Sequence, residues 1–369
     1  MKMKRLIALS MSLAMVLALT ACGGSNSGGG SENNSAPDPE QTYHLVYSYF
    51  GPEVIPPGQF PKLAMEKITE RSNGRLTFDA YFSGTLLSAA DSVTGCMNKT
   101  ADMVWVDSSQ MSELFPLNNV FTMPYIETPP VKSKLDAAFQ QMLIDCPELV
   151  AELAAKDLMY ISMMAAGGFH LHGVKELFDS PSKLSGKIID GLGFGGRLAT
   201  ALGANGVVID VTDYYMSMST GLLDGQFNHY ASVHGFAVDE VVTTHTMFSN
   251  SNDLHDYDAM LGGGLYAAMM GIIMNKSSFD ALPADLQALV VEEFGKIADY
   301  ITPIDLEVMV KPSIELGESK GDKFIFIDDA GRQEWAHGIQ QVVDEWVSDV
   351  GALGYDGRAI YNHMMDLFD

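Results

Sequence analysis

The sequence has few cysteines and few cations, and it contains no long apolar run after its first residues. Only Cys96 and Cys146 lie in the body of the chain, and neither has Cys-x-x-Cys or Cys/His metal spacing. They are either a disulfide pair or, as we expect, two small buried side chains. Lysine and arginine total 22 against 47 acidic residues, a net charge of −25, which disfavours nucleic acid and anionic lipid as partners.

The common signatures of hydrolytic enzymes are also missing. The sequence contains neither Gly-x-Ser-x-Gly nor His-Glu-x-x-His, and its histidines are scattered. We therefore predict a protein that is not an enzyme and that uses no cofactor. The glycine-rich turn 191–196 has the wrong spacing for a dinucleotide loop, and it is interpreted as a helix start whose free N–H groups face a cleft.

The first residues instead predict export. Three basic residues precede an apolar segment too short to span a bilayer comfortably, and Leu19-Thr20-Ala21-Cys22 resembles a bacterial lipobox. We predict a signal peptide over 1–21, acylation of Cys22 and a flexible polar leash over 22–42. Cleavage would change the formal net charge from −25 to about −28. The alternative is an ordinary signal peptide with an incidental cysteine.

Strand and helix patterns alternate along the body, which is typical of an α/β fold with parallel strands. Aromatic, β-branched or apolar runs predict strands over 43–50, 75–82, 103–106, 158–163, 168–172, 187–190, 207–211, 225–228 and 265–275. Helical spacing predicts helices over 60–72, 88–98, 197–203, 214–220, 286–300, 303–320 and 331–350. The body is long enough for two domains that share a cleft.

Several motifs occur in an order that is characteristic of one family. They are residues 67–76 followed by 82–86, residues 98–109, Leu114-Phe115-Pro116 with Met123-Pro124-Tyr125, and residues 201–207, 220–228 and 274–283. Together they make the chain, from about Tyr43 to Val350, resemble the DctP-like extracytoplasmic solute-binding subunits of tripartite ATP-independent periplasmic (TRAP) transporters, here in a lipoprotein form.

The resemblance implies a two-domain α/β fold of the type II periplasmic-binding-protein class, with a central cleft, a long connecting helix and a helical C-terminus. Domain I would comprise 43–165 plus 262–305, and domain II 166–261 plus 306–369. The protein would close over a small solute and deliver it to the integral membrane subunits of the transporter. It would stay outside the cytoplasm, at the outer face of the membrane or in the periplasm, touching the membrane only through its lipid anchor.

Two positions depart from the family pattern. Carboxylate-binding members carry one arginine after a Gly-Phe pair and another at the end of a Lys-Ile strand. Here Gly168-Phe169 is followed by His170, and the second strand ends in Ile189-Asp190. Because other residues do not reproduce the bidentate arginine fork, the cargo is expected to be neutral, zwitterionic or cationic. Asp190 favours an amine-bearing or polyhydroxyl solute, unless it only binds backbone amides of its turn.

Family position and strand ends give the remaining candidate residues. His170 and His172 share one face of a strand and either line the cleft or lie at the edge of the core. Arg197 either replaces a missing anchor or is a solvated helix residue, and Trp105 is expected in the core. The ligand-binding candidates are Tyr49, Phe50, Asp91, Ser108, Ser109, Tyr125, Phe169, His170, His172, Asp190, Arg197, Tyr215, Asn228 and Tyr266.

Two other functions remain open at this point. A binding protein of similar fold could serve an ABC importer or a sensor, and the sequence does not distinguish these from a TRAP subunit. A metal-binding protein built on His170 and His172 is less favoured, because two ligands of one type are a weak metal signature.

Overall fold

The computed structural model describes residues 41–368, so the predicted signal peptide, Cys22 and almost all of the leash lie outside the described residues. The strands are β1 Tyr43–Ser48, β2 Leu76–Tyr81, β3 Met103–Asp107, β4 Leu158–Ala165, β5 His170–Gly173, β6 Ile188–Gly191, β7 Asn205–Val207, β8 Gly225–Asn228, β9 Thr244–Met247, β10 Met269–Asn275 and β11 Lys323–Phe326.

Helices cover the sheets and form the end of the chain. They are α1 Pro56–Arg71, α2 Ser92–Met97, α3 Lys132–Asp145, α4 Pro147–Ala154, α5 Gly195–Ala201, α6 Tyr214–Ser219, α7 Tyr230–Gly235, α8 Tyr257–Gly262, α9 Lys276–Asp280, α10 Ala284–Phe294, α11 Ile297–Asp305, α12 Lys311–Lys320, α13 Asp329–Ala352 and α14 Gly357–Asp366. Within 41–368 no helix combines the length and the apolar character needed to cross a membrane.

The strands form two separate sheets. The first has the order β2-β1-β3-β10-β4, with β1 parallel to both neighbours and β10 antiparallel to β3 and β4. The second has the order β11-β9-β5-β8-β6-β7, with β5 antiparallel to both β8 and β9. The α/β class and the two-lobed architecture predicted from the sequence are confirmed.

Most predicted elements are present, but several have different bounds. The helices predicted over 286–300 and 303–320 divide instead at 295–296, between α10 and α11. The strand predicted over 207–211 is β7, which ends at Val207, because the backbone N–H of Ile209 donates to the Asp190 carboxylate instead of a neighbouring strand. The strand predicted over 265–275 begins at Met269. The helix predicted over 88–98 is the shorter α2, preceded by a turn. Cys96 and Cys146 are buried free thiols, as the small-side-chain interpretation predicts.

The chain passes between the two sheets along two segments that pair with each other. The amide of Ala166 donates to the Ala268 carbonyl at 2.8 Å, and Phe169 pairs with Tyr266 and Leu265 at 2.8 and 3.0 Å. A Cβ on Gly168 would overlap the carbonyl oxygen of Gly263, so the backbones approach more closely than any side chain permits. We call residues 166–169 and 264–268 the crossing segments.

A long helical rod also extends from one lobe to the other. Helix α11 packs on α1 and β4 of the first lobe, and α12 packs on α7 of the second. Between them Leu306–Val310 forms one π-helical turn. Pro312 has no N–H for the carbonyl four residues earlier, and the wider π turn just before it accommodates that loss.

The last two helices contact both lobes. Helix α13 packs on α5, whereas α14 packs on α3. Trp346 Nε1 donates to the Pro116 carbonyl at 2.8 Å, and Tyr361 Oη donates to the Pro124 carbonyl at 2.9 Å. The C-terminal helices therefore connect both lobes, and the domain bounds given above remain a prediction.

The crossing generates a stability prediction. Gly168→Ala should lower the free energy of unfolding by about 3 kcal/mol or more, because the added methyl group overlaps the backbone of the opposing segment and cannot be relieved by a rotamer change. Chemical unfolding of purified protein would measure the loss.

Gly351→Ala is the matched control. Gly351 lies near the end of α13, with no atom within 4 Å of an added Cβ, so the same methyl group should leave stability unchanged or slightly raised. Equal stability of the two variants would contradict the assignment of the crossing as a steric constraint.

Candidate functional site

The turn that follows β6 brings the second sheet against the first. A Cβ on Gly193 would lie 3.1 Å from Thr122 and 3.2 Å from the Cβ of Ser109, just beyond β3. A Cβ on Gly195 would overlap the hydroxyl of Tyr266, which belongs to a crossing segment. Glycines at both positions therefore permit contact between the two sheets at this edge.

Five polar side chains meet near this contact with unused hydrogen-bonding atoms. We call them the junction cluster: Ser109, Asp190, Gln226, Asn228 and Tyr266. Each has at least one buried polar atom without a hydrogen-bond partner in the part of the chain that the structure describes. Such atoms each cost about 1–3 kcal/mol when buried alone, so a cluster of them is typical of a site that a solute completes.

Asp190 is the charged member of the cluster. Its Oδ1 accepts the Ile209 N–H at 2.9 Å, while its Oδ2 has no partner within residues 41–368. Burial raises the pKa of Asp190 to about 7, and bonds from backbone amides oppose that rise only partly. One oxygen thus binds a backbone amide, and the binding of a solute by the other stays a prediction.

Backbone pairing explains why the other members lie beside Asp190. Asp190 is the register partner of Gln226 on β8, and Asn228 follows two residues later on the same strand. The Asn228 amide uses its oxygen to accept the His229 N–H at 2.9 Å, so its nitrogen is the atom without a partner. The cluster therefore presents both donors and acceptors from adjacent strands.

The carboxylates of Asp190 and Asp107 both affect the pKa of Tyr266. Burial raises the pKa of Tyr266, and the carboxylates of Asp190 and Asp107 raise it further. Asp107 ends β3 and uses Oδ1 to accept the Ser109 N–H at 2.8 Å. None of the five cluster residues is cationic, so the charges assembled here are negative.

Another buried carboxyl lies on the helical rod. Burial raises the pKa of Asp305 to about 7, and the nearby Lys132 lowers it. Its Oδ1 has no partner among the described residues. Lys132 itself is held by both oxygens of Asp136, at 2.7 and 2.6 Å, so this cation is already neutralised.

Aromatic rings form the apolar part of the junction. Phe169 stacks on Tyr266 with ring centroids 4.5 Å apart, and Tyr49 packs against Phe50 and Trp105 at 5.1 and 5.6 Å. Trp105 is 2% exposed, as expected for a core residue. The rings give the cluster fixed, dry walls, within which hydrogen bonds are stronger than in water.

The two predicted histidines lie inside the second lobe, and their ring nitrogens face protein groups. His170 accepts the Phe248 N–H at Nδ1 and donates from Nε2 to the Met260 carbonyl, both at 3.1 Å. His172 contacts His245 and the Asn228 carbonyl. Burial lowers the pKa of His170 to about 3. Neither ring has a free nitrogen for a solute, which corrects the cleft-lining interpretation in favour of the core.

Other candidates also lie away from the junction cluster or are already engaged. Arg197 is on the surface, 3.6 Å from Asp349 and over the Phe194 ring, which corrects its interpretation as a replacement anchor. Asp91 is exposed and accepts from Ser88, and Tyr215 is partly exposed.

Two of the buried candidates have local structural partners. Ser108 Oγ accepts the Met269 N–H at 3.1 Å. Tyr125 packs on Phe368, with its hydroxyl buried and without a partner in residues 41–368.

We also searched the described residues for side chains that could bind a metal ion together. Within the described residues, no group of three or more histidine, cysteine or acidic side chains is arranged to hold an ion.

Gln226 and Asp107 were missed by the sequence interpretation. Both lie in motifs that carry the family resemblance, and Gln226 precedes Asn228 by two residues, so the two-residue period of a strand places them on one face. That period was a usable signal for Gln226. Asp107 caps the turn that follows β3, a local role that conceals any other in the sequence.

Comparison with known proteins gives a consistent family assignment. The family model described as "Bacterial extracellular solute-binding protein, family 7" matches residues 52–349. A solute-binding protein of Chromohalobacter salexigens is 22% identical over 199 residues, which are 53% of this chain and 58% of that protein.

Two solved structures have the same fold. A TRAP solute-binding protein of Rhodoferax ferrireducens with copurified benzoate has a TM-score of 0.72 at 22% identity, covering 89% of this chain and 98% of the other. A marine metagenome protein specific for aromatic acids, with 3-hydroxybenzoate, scores 0.75 at 20% identity with the same coverage.

The raised pKa of Asp190 predicts how stability depends on pH. Because the folded protein holds this proton up to about pH 7 and the unfolded chain releases it near 3.8, stability falls as pH rises between those values. Asp190→Asn should therefore raise the free energy of unfolding at pH 8, by up to about 4 kcal/mol, and change it little at pH 4. Denaturant unfolding at the two pH values measures the difference.

Asp253→Asn is the control, since its carboxylate is 70% exposed and carries no burial penalty. If Asp190→Asn raised the free energy of unfolding equally at both pH values, the carboxylate of Asp190 would not be destabilised by burial.

Proposed function

The chain belongs to the bacterial extracellular solute-binding protein family 7, the DctP family, and from that premise we propose that it binds a small polar solute with a positively charged amine. The solute would be a cation or a zwitterion, enclosed where the two sheets meet. The protein would then pass it to the integral membrane subunits of a TRAP transporter, and it would catalyse no reaction.

One observation carries the cargo assignment. Asp190 lies next to Ile189, the position at which the resemblance implies an arginine in carboxylate-binding relatives, and it is buried with one carboxylate oxygen that has no partner among the described residues. An arginine there attracts an anion, whereas a carboxylate repels it and forms a charge-assisted bond with an ammonium group. A buried, unpaired charge of this kind is costly unless a partner arrives.

The neutral members of the junction cluster support a polar rather than an apolar cargo. Gln226 offers an amide donor and acceptor, Asn228 a donor, and Ser109 and Tyr266 hydroxyls. Directed groups of this type read the hydroxyl or carbonyl positions of a solute. We therefore assign to the five-residue cluster the recognition of one ammonium group and several neutral polar groups.

Domain closure is the proposed capture step. We propose that 43–165 with 262–305 and 166–261 with 306–369 are the two domains, that the crossing segments and the π turn are the points that bend, and that closure buries the cluster. Tyr49, Phe50 and Phe169 would supply the apolar walls.

A second cargo class is favoured by the comparisons. The two structural neighbours hold benzoate and 3-hydroxybenzoate, both organic acids. A carboxylate could bind beside Asp190 only when Asp190 is protonated, which its pKa of about 7 permits on the acid side of neutrality. The two classes therefore differ in the sign of their pH dependence.

The cargo prediction uses scaffold-matched pairs, benzylamine with benzoate and glucosamine with glucuronate. Melting-temperature shifts at pH 8 would show which member of each pair binds, because a solute that binds only the native state raises the melting temperature. Calorimetric titration between pH 5.5 and 8 would then show affinity for the amine rising about tenfold per pH unit up to pH 7, as Asp190 ionises.

Asp190→Asn should remove this pH dependence, and Asn228→Ala should weaken binding at every pH. Arg197→Gln, on the surface, should change neither. Binding of the acid alone, strengthening below pH 7, would refute the amine assignment and support the second class.

We also propose that the protein is a lipoprotein, processed after residue 21 and acylated at Cys22, with residues 22–42 as its leash. Cys22→Ser should move the protein from the membrane fraction to the soluble fraction, because the acyl chains contribute about 0.8 kcal/mol per buried CH₂. Fractionation with a Cys146→Ser control measures this, and membrane retention of Cys22→Ser would exclude the anchor.

A further inference from the structure

Two imidazole rings and a carboxylate form a buried chain behind the junction cluster. His172 Nε2 lies 3.1 Å from the Asn228 carbonyl oxygen, and its Nδ1 lies 2.8 Å from Nδ1 of His245. His245 Nε2 lies 3.3 Å from Asp322 Oδ2. All three side chains are at most 3% exposed, so water does not replace these contacts.

The contacts require more protons than two neutral rings hold. Each of the three contacts needs one hydrogen, because the Asn228 carbonyl and the Asp322 carboxylate only accept and the nitrogen–nitrogen contact needs one donor. Two neutral imidazoles carry two hydrogens in total. One of the three contacts must then lack its hydrogen until a third proton enters the chain. Because two lone pairs 2.8 Å apart would repel each other, the nitrogen–nitrogen contact keeps its hydrogen, and the contact without one is that to Asn228 or that to Asp322.

Charged groups around the chain oppose each other. Asp322 is paired with Lys320 at 3.1 Å. The pKa of His245 is lowered overall, because burial lowers it most, Asp322 and Asp239 raise it only in part, and Lys320 lowers it further.

Most of the remaining neighbours affect the His172 ring. Burial lowers the pKa of His172 well below its usual value, and His245, His170 and His229 lower it further, while its bond to the Asn228 carbonyl raises it. Tyr230 packs edge-on against the His172 ring, and Phe324 stacks on His245 at 4.5 Å.

The chain continues the row that holds the site. His245 pairs in register with His172, His172 with Gln226, and Gln226 with Asp190, across four adjacent strands. Because register partners share one face of a sheet, the rings belong to the same row as two members of the junction cluster. Asn228 receives its bond from His172 through its backbone.

We propose that His172 and His245 are positioning residues that bind one extra proton as a unit, and that this proton fixes Asn228 in the solute site. With three protons both ends of the chain are bonded. With two, the charged Asp322 takes the hydrogen at its end, since bonds to a carboxylate are the stronger ones, and His172 no longer donates to Asn228. Only the role of Asn228 in solute binding rests on the proposed function.

The test follows the rings and Asn228 separately. With histidine labelled by ¹⁵N and the Asn228 carbonyl by ¹³C, NMR spectra of the purified full-length protein would be recorded from pH 5 to 8. His172 and His245 should titrate in one shared step, and the Asn228 carbonyl signal should move at the same midpoint toward its bonded position as pH falls.

His245→Asn is the decisive variant. The shorter amide can still donate to His172 but cannot bind the extra proton, so His172 should stay fixed as the Nε2–H tautomer and the Asn228 signal should lose its pH dependence. His255→Gln should leave the shared step unchanged. If His245→Asn does not fold, the wild-type titration alone decides.

Rings that stay neutral from pH 5 to 8, or an Asn228 signal that does not follow them, would overturn the relay. A shared titration accompanied by failure of every amine to bind would support the relay and overturn only the proposed cargo. The two ideas therefore fail in different experiments.

Discussion

The rest of this structure depends on one constraint, the close contact of two backbone segments at glycines, where no side chain fits between them. Gly168 lies against Gly263 and Gly264 where any Cβ would overlap a backbone atom, and Gly264 has a φ of +145°. Glycine is costly in extended segments because it loses more conformational freedom than other residues. Its use on both strands of the crossing lets two sheets share one hydrogen-bonded connection, and it sets the position of Phe169 and Tyr266, the first aromatic residues on either side.

The acidic residues of the protein fall into two groups with different physical effects. Most of the 47 acidic residues are on the surface, where water solvates them and they mainly affect solubility and long-range repulsion. Asp190 and Asp305 are buried, each with one oxygen lacking a partner in the described chain and each with a pKa raised to about 7 by that burial. Strongly shifted groups of this kind concentrate at functional sites, so they carry more information than the total charge.

Apolar patterns in the sequence predicted the α/β class and the strands of the first sheet, whereas the long connecting helix was implied by the family resemblance. Prediction from the sequence failed where tertiary contacts outweigh local pattern. Strand β9, with the sequence Thr-His-Thr-Met, is fully buried yet polar, so no alternation marks it.

The same limit applies to the candidate site. Asp190 was identified because its departure from the family pattern is visible in the sequence, and Arg197 was misplaced because a helix position does not reveal which neighbour it faces. His170 and His172 share a strand face as predicted, but only the three-dimensional structure shows that the face is covered by Tyr230.

The histidines also explain why an arginine is absent from the second sheet. The surroundings of His170 offer one donor, the Phe248 N–H, and one acceptor, the Met260 carbonyl, which match a neutral imidazole. A guanidinium has five donors and a permanent charge, and most of these donors would be buried without acceptors there. The position that would hold an arginine after Gly168-Phe169 therefore holds a neutral imidazole whose two nitrogens are both bonded. At the other departure from the family pattern, Asp190 keeps one carboxylate oxygen without a partner among the described residues, so the two departures leave the second sheet with one satisfied imidazole and one unsatisfied carboxylate.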